Sequence, residues 1–249
     1  MKSTSIFKRA LVLAALCLPL TAFAGLKEDM VAFDRAYIPA LAVTAEGKLP
    51  ESQRAMEQLN KQWAAFKKQN ANAKGADKQW KTDFADIQRM ITEANKIVAS
   101  GTDIEKAHEA LEGVRLTMLD MRARRKMPYY VDMLTHFHDR MEEIALIAKD
   151  KTPATLSAED VGKLRATLPD AEKRWADVKA TRLDPAFGFN AEQQDNLAKF
   201  VASESAALEA LKQALTGDDR AAILKAATAI KPGFAKIFKA FGNFGPVLR

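Results

Sequence analysis

Apolar residues recur along this chain at alternating spacings of three and four residues, which is the period of one face of an α-helix. The clearest series comprises Ile104, Ala107, Leu111, Val114, Met118 and Met121. Glycine and proline, which interrupt helices, number only 11 and 9 in 249 residues. No run of β-branched residues indicates a strand. The pattern therefore predicts an all-α fold with eight helices.

The first 24 residues have the pattern of a secretory signal peptide. Lys2, Lys8 and Arg9 precede an apolar run at residues 10–20, and the motif Ala22-Phe23-Ala24 is a typical cleavage site. The run is too short for a spanning helix, and no second long apolar segment follows. We therefore expect a periplasmic protein with no stable membrane span.

Charge and cysteine content exclude several classes of protein. The formal net charge of +6 falls to +3 once the three cations of the signal peptide are removed, which is too low to indicate nucleic-acid binding. The one cysteine, Cys17, lies in the removed segment. The mature chain should therefore contain no disulfide, no thiolate metal site and no covalently attached haem.

Short motifs repeat in the two halves of the chain. Lys61-Gln62-Trp63-Ala64 and Lys173-Arg174-Trp175-Ala176 match, as do Gly101-Thr102-Asp103 and Gly217-Asp218-Asp219. We expect Trp63 and Trp175 to be equivalent core residues. The repeats predict two tandem up-and-down four-helix bundles, at residues 25–127 and 128–249, that arose by internal duplication. A single bundle with longer, paired helices is the alternative.

Several local features carry expectations of their own. Pro39 should kink the first helix and leave the carbonyl of Arg35 without its helical amide partner. Pro232-Gly233 should break or bend the last helix, and we expect the tail at residues 244–249 to be loose. The basic run Arg122, Arg124, Arg125 and Lys126 is interpreted as a group of cations that stabilises the C-terminus of the fourth helix.

All three histidines and five of the nine methionines lie between residues 108 and 142. Histidine and methionine are ligands for copper, and histidine with carboxylates also binds iron. Pro128 would form the corner of a hairpin that brings these side chains together. The cluster predicts a non-enzymatic metal-binding protein, with copper first and iron second. Its candidate ligands are His108, Glu112, Met118, Met121, His136, His138, Met141 and Glu142.

Two alternatives remain open at this stage. The exported tandem bundle resembles, in architecture and compartment, the periplasmic b-type and c-prime-type cytochromes. That resemblance implies a b-type haem between an axial histidine, His108 or His138, and an axial methionine, Met30 or one from the fifth helix. The other alternative is a helical scaffold or sensor that binds a periplasmic protein or a small ligand. The sequence contains no nucleophile elbow, His-Glu-x-x-His motif or phosphate loop, so we expect no enzyme.

Overall fold

The computed structural model of the chain describes residues 24–73 and 75–249, and this part contains eight α-helices and no strand. The helices are α1 (Ala24–Ala45), α2 (Leu49–Asn70), α3 (Lys78–Ser100), α4 (Ile104–Arg124), α5 (Tyr130–Ala148), α6 (Ala158–Ala180), α7 (Ala191–Ala214) and α8 (Arg220–Lys239). A short 3-10 helix, Pro185–Phe187, precedes α7. The all-α prediction is confirmed for these residues. Except for Ala24, the predicted signal peptide lies outside the described residues.

Local sequence signals set most helix ends. The Asp77 side chain accepts a hydrogen bond from Trp80 N at the start of α3, and Gly101 ends that helix with a φ of 72°. Ser157, which begins α6, exchanges hydrogen bonds with Asp160 in a capping box. These side chains satisfy amide groups that a helix terminus leaves without partners.

The helices pack in two groups of four. In the first group α1 contacts α2 and α4, while α3 contacts the same two helices; α5, α6, α7 and α8 repeat this pattern. The groups meet where α1 contacts α8, where α4 contacts α5, and where the 3-10 helix contacts α1. These contacts are consistent with helical bundles. The duplication stays a prediction. No helix among the described residues combines the length and the apolarity needed to cross a bilayer.

Trp63 and Trp175 occupy similar places in the two groups. Both are buried, and each indole N–H donates to a side chain on the next helix: Trp63 to Gln88 Oε1 at 3.0 Å and Trp175 to Ser205 Oγ at 2.8 Å. A phenylalanine of the preceding helix packs on each ring. Both tryptophans are therefore core residues with a satisfied polar group.

The C-terminal tail donates a hydrogen bond to a carbonyl group of the first helix. Pro39 lies inside α1, and the carbonyl of Arg35 accepts a hydrogen bond from Asn243 N at 2.8 Å. A Cβ added to Gly242 would lie 2.9 Å from Pro39 Cδ, so a glycine is needed for this approach. Val247 is 1% exposed, and its carbonyl accepts from Arg54 Nε at 2.7 Å. The expectation of a loose tail was wrong, because these contacts dock it on α1 and α2.

The helix α8 runs through Pro232 without interruption, so no break occurs there. Gly233 makes room for a carboxyl group instead. A Cβ at this position would lie 2.0 Å from Oε2 of Glu204, a residue of α7 that has no exposed surface. Neither carboxyl oxygen of Glu204 has a hydrogen-bond partner among the described residues. Burial raises the pKa of this carboxyl to about 8, so it is a neutral acid at pH 7.

Candidate functional site

The eight predicted ligands fall into three places. Five of them, His108, Glu112, His138, Met141 and Glu142, line one cleft between α1, α4, α5 and α8, which we call the central cleft. Met118 and Met121 are 1% and 0% exposed in the hydrophobic core and do not line it. His136 is exposed on α5 and is likewise absent from the lining of this cleft. The structure therefore brings together two of the three histidines.

One wall of the central cleft is apolar. Its volume is about 520 Å³, and α8 contributes Phe234, Ala235 and Phe238. The rings of Phe234 and Phe238 lie 5.8 Å apart between centroids and only 19° from parallel. Leu41 from α1 and Met141 from α5 extend this surface. Phe234 and Phe238 are themselves 5% and 7% exposed, so only a small part of each ring borders the cleft.

The opposite wall carries hydrogen-bonding groups from α4. His108, Glu112 and Arg115 share one face of this helix because they are spaced by four and three residues. His108 Nδ1 lies 3.0 Å from the carbonyl oxygen of Leu41, and its Nε2 lies 3.5 Å from Glu112 Oε1. A carbonyl can only accept, so Nδ1 carries the proton. Nε2 therefore faces a carboxylate, and a proton or a metal ion could lie between them.

Arg115 connects the polar wall to α5. Its side chain is 5% exposed, forms an ion pair with Glu112, and donates from Nη2 to His138 Nδ1 at 3.0 Å. The guanidinium Nε is buried and has no acceptor among the described residues. Burial, together with the charges of Arg115, Lys231 and His108, lowers the pKa of His138 to about 3. His138 is thus a neutral acceptor at ordinary pH.

A second depression, the outer groove, lies against the same contact. It has a volume of about 730 Å³ and shares Arg115, His138 and Glu142 with the central cleft. Leu116 and Leu146 line it with 49% and 58% of their surface exposed. The hydrogen bond between Arg115 and His138 therefore lies between two accessible spaces.

A different polar group, the junction cluster of Asp34, Arg122, Tyr129 and Asp132, lies where α1, α4 and the start of α5 meet. Arg122 is 2% exposed and donates to both oxygens of Asp132, from Nε at 2.9 and 3.0 Å and from Nη2 at 2.5 Å. Its guanidinium carbon lies 4.3 Å from the centre of the Tyr129 ring, and Tyr129 donates to Asp34 Oδ2 at 2.7 Å. Burial raises the pKa of Asp34 to about 6 against the opposing charge of Arg122.

The interpretation of the basic run at the end of α4 as a group of exposed cations was wrong in part. Arg122 is buried in the junction cluster, Arg124 pairs with the buried carboxylate of Asp83, and Arg125 lies 3.9 Å over the ring of Trp80. Sequence reasoning missed these roles because a cation in a last helical turn is usually solvated. The seven-residue spacing of Arg115 and Arg122 was the signal available, since it places both on one face of α4.

The metal and haem hypotheses stay predictions. Within residues 24–73 and 75–249, no group of three or more histidine, cysteine, aspartate or glutamate side chains is placed to hold a metal ion. Of the candidate axial haem ligands, His108 and Met141 line the central cleft from different helices. Met30 is 0% exposed in the core.

No protein-family model, no curated protein and no solved structure matches the chain.

Proposed function

We propose that this chain is an exported, non-enzymatic binding protein that holds a small amphipathic molecule in the central cleft. The observation that carries this proposal is the contrast between the two walls of the cleft. Phe234 and Phe238 of α8 supply apolar lining, while His108, Glu112 and Arg115 of α4 supply hydrogen-bonding groups. Ligand sites typically combine an apolar lining with a few such polar groups.

Size and position support the same proposal. A volume of about 520 Å³ lies within the range of roughly 300–1,000 Å³ that is usual for small-molecule sites. The cleft also lies where the two groups of four helices meet, and ligand sites commonly occur at such boundaries. We propose further that the groups are tandem bundles related by duplication. The matching places of Trp63 and Trp175 support that relation.

The proposal can be tested with the fluorescent dye anilinonaphthalene sulfonate, which has an aromatic body and one anionic group. We expect a saturable increase in fluorescence with one site per chain. Ala42 is half-buried and lines the cleft, so Ala42→Trp should fill it and weaken dye binding at least about tenfold. Ala207→Trp is the matched control, because Ala207 is half-buried on α7 outside the cleft. Equal dye binding by both variants would contradict the proposal.

A metal ion is a second candidate ligand, favoured by one contact. His108 Nε2 faces Glu112 Oε1 at 3.5 Å, which is the imidazole and carboxylate pairing that copper and iron accept. Calorimetric titration of copper and iron into the mature protein tests it. His108→Ala should abolish any tight binding, while His136→Ala should not, because His136 is exposed away from the cleft. Identical titrations of these two variants would remove this candidate.

A further inference from the structure

The carboxylates that line the central cleft are the first indication of the charge of its ligand. Each of the three that line it has a cationic partner: Glu46 pairs with Lys239, Glu112 with Arg115 and Glu142 with Lys231. No lining carboxylate is therefore free to attract a cationic ligand. A cation entering the cleft would have to displace a basic side chain of the protein itself.

The basic side chains of the cleft differ from one another in burial. Lys231 and Lys239 keep 56% and 40% of their side chains exposed at the rim, where water satisfies the ammonium groups. Arg115 is 5% exposed. Its Nη2 makes both of its contacts, and its Nε N–H has no acceptor among the described residues. Because Arg115 lines the cleft, its guanidinium can donate to a ligand oxygen there, and hydrogen bonds from a charged donor are the stronger kind.

The charge environment at the same point favours a negative group. His138, which accepts from Arg115, has its pKa lowered to about 3 by burial and by the charges of Arg115, Lys231 and His108. The charges of Arg115 and Lys231, which contribute to this shift, would stabilise an anion at this point, whereas burial, the largest cause, would not.

The apolar wall indicates what the anion is attached to. Phe234 lies between Phe238, at 5.8 Å, and the ring of His138, at 5.4 Å and 54°. Aromatic rings stabilise one another in offset-stacked and edge-to-face arrangements at such distances. Because His138 contacts both Phe234 and Arg115, the apolar lining and the guanidinium meet at this imidazole.

From these observations we infer that the ligand of the central cleft is an aromatic carboxylate, whose ring packs on Phe234 and Phe238 and whose carboxylate binds Arg115. A guanidinium binds a carboxylate through parallel N–H groups more strongly than it binds a neutral oxygen. This inference depends on the proposed function, because it names the chemistry of the same cleft.

Three probes that share a naphthalene ring and differ in their polar group test the inference: naphthoate, naphthylmethanol and naphthylmethylamine. Each displaces the dye from the folded protein, and the displacement gives its affinity. We expect naphthoate to bind at least about tenfold more tightly than the alcohol, which corresponds to one charge-assisted contact. The amine should bind most weakly.

A double substitution then identifies the group responsible. Arg115→Met combined with Glu112→Gln removes the guanidinium and its partner together and leaves the net charge unchanged. It should remove the preference for naphthoate and retain binding of the alcohol. Arg89→Met with Asp86→Asn is the matched control, because this exposed pair on α3 has the same three-residue separation. The control should bind all three probes as the unmodified protein does.

The outcomes separate this inference from the proposal on which it depends. Equal affinity for the three probes, or tighter binding of the amine, would overturn the anionic ligand and leave the central cleft as a binding site. Loss of the naphthoate preference in the Arg89 and Asp86 control would overturn the role of Arg115. If no probe binds and Ala42→Trp leaves dye fluorescence unchanged, both conclusions fail.

Discussion

Arg115 and Arg122 lie seven residues apart on the same face of α4, and both are buried and contact α5, yet their surroundings differ. Arg122 is enclosed by the carboxylate of Asp132 and the ring of Tyr129, with Asp34 beside them. Arg115 contacts one carboxylate, that of Glu112, and one imidazole, that of His138, and it lines an open cleft.

The difference shows how one residue type serves two purposes. A buried cation is stabilised when carboxylates and an aromatic face surround it, and the junction cluster then fixes how the two groups of helices meet. A buried cation with fewer partners beside an accessible space can bind a further acceptor. Each guanidinium has one buried nitrogen without a hydrogen-bond partner among the described residues, Nε in Arg115 and Nη1 in Arg122. The position of the side chain, lining the central cleft or enclosed at the junction, therefore distinguishes the proposed ligand-binding arginine from the structural one.

The largest expected effect tests this comparison directly. Arg122→Met leaves Asp132 buried without its partner and should lower the free energy of unfolding by about 3–5 kcal/mol. Arg115→Met leaves Glu112, which is partly exposed, and should cost only about 1–2 kcal/mol. Urea unfolding monitored by circular dichroism measures both. Equal losses would show that the two arginines are equally structural.

Glu204 extends the comparison to a buried ionisable group with no partner at all. Its pKa rises from 4.5 to about 8, so the folded protein holds a proton that the unfolded chain releases in that range. The free energy of unfolding should therefore fall as pH rises between those values. Glu204→Gln removes this dependence and should be more stable than the unmodified protein by about 2–4 kcal/mol at roughly pH 9. Urea unfolding across pH checks this, and parallel pH profiles for the two proteins would contradict it.

Asp34 is the partnered counterpart of Glu204, and its effect should be smaller. Its pKa rises from 3.8 to about 6, so stability should fall as pH rises through that interval and stay level above it. Asp34→Asn keeps an acceptor for the Tyr129 hydroxyl and removes the charge. We expect a flat profile across that interval and a gain of about 1–3 kcal/mol near neutral pH. Thermal unfolding at several pH values measures it, and a less stable variant at neutral pH would show that Arg122 needs the Asp34 charge.

The smallest effect is expected at the tail that covers α1 next to Asp34. Val247 is buried, but its neighbours Pro246 and Leu248 are exposed, so the structure can relax around a smaller side chain. Val247→Ala should cost about 1 kcal/mol or less. Thermal unfolding gives the value, with Leu248→Ala as the control because Leu248 is 63% exposed. A decrease in the free energy of unfolding as large as that of Arg122→Met would show that the tail is needed to keep the junction cluster buried.

Features set by neighbours in the chain were predictable from the sequence. Apolar spacing gave the helices, Ser157 and Gly101 marked helix ends, and Pro39 indicated a free carbonyl at Arg35. These follow from one helical turn and the groups it leaves unpaired.

Features that depend on distant helices were not predictable. The spacing of Arg122 from Arg115 gives the face of α4 that it occupies but not its burial, which depends on where α5 and α1 pack. His108 and His138 lie on different helices and line one cleft. Met118 and Met121, which belong to the apolar series of α4, lie in the core instead. Helical spacing gives the face that a residue occupies, and tertiary packing decides whether that face borders a cleft.

The hydrogen bond from Asn243 to the Arg35 carbonyl has a consequence for the order in which the chain folds during synthesis. The two residues belong to segments far apart in the chain, so a ribosome must synthesise α8 and the residues that follow it before the first helix acquires this bond. An affinity tag fused directly to Arg249 would extend from this docked segment, whereas a tag ahead of α1 would leave it untouched.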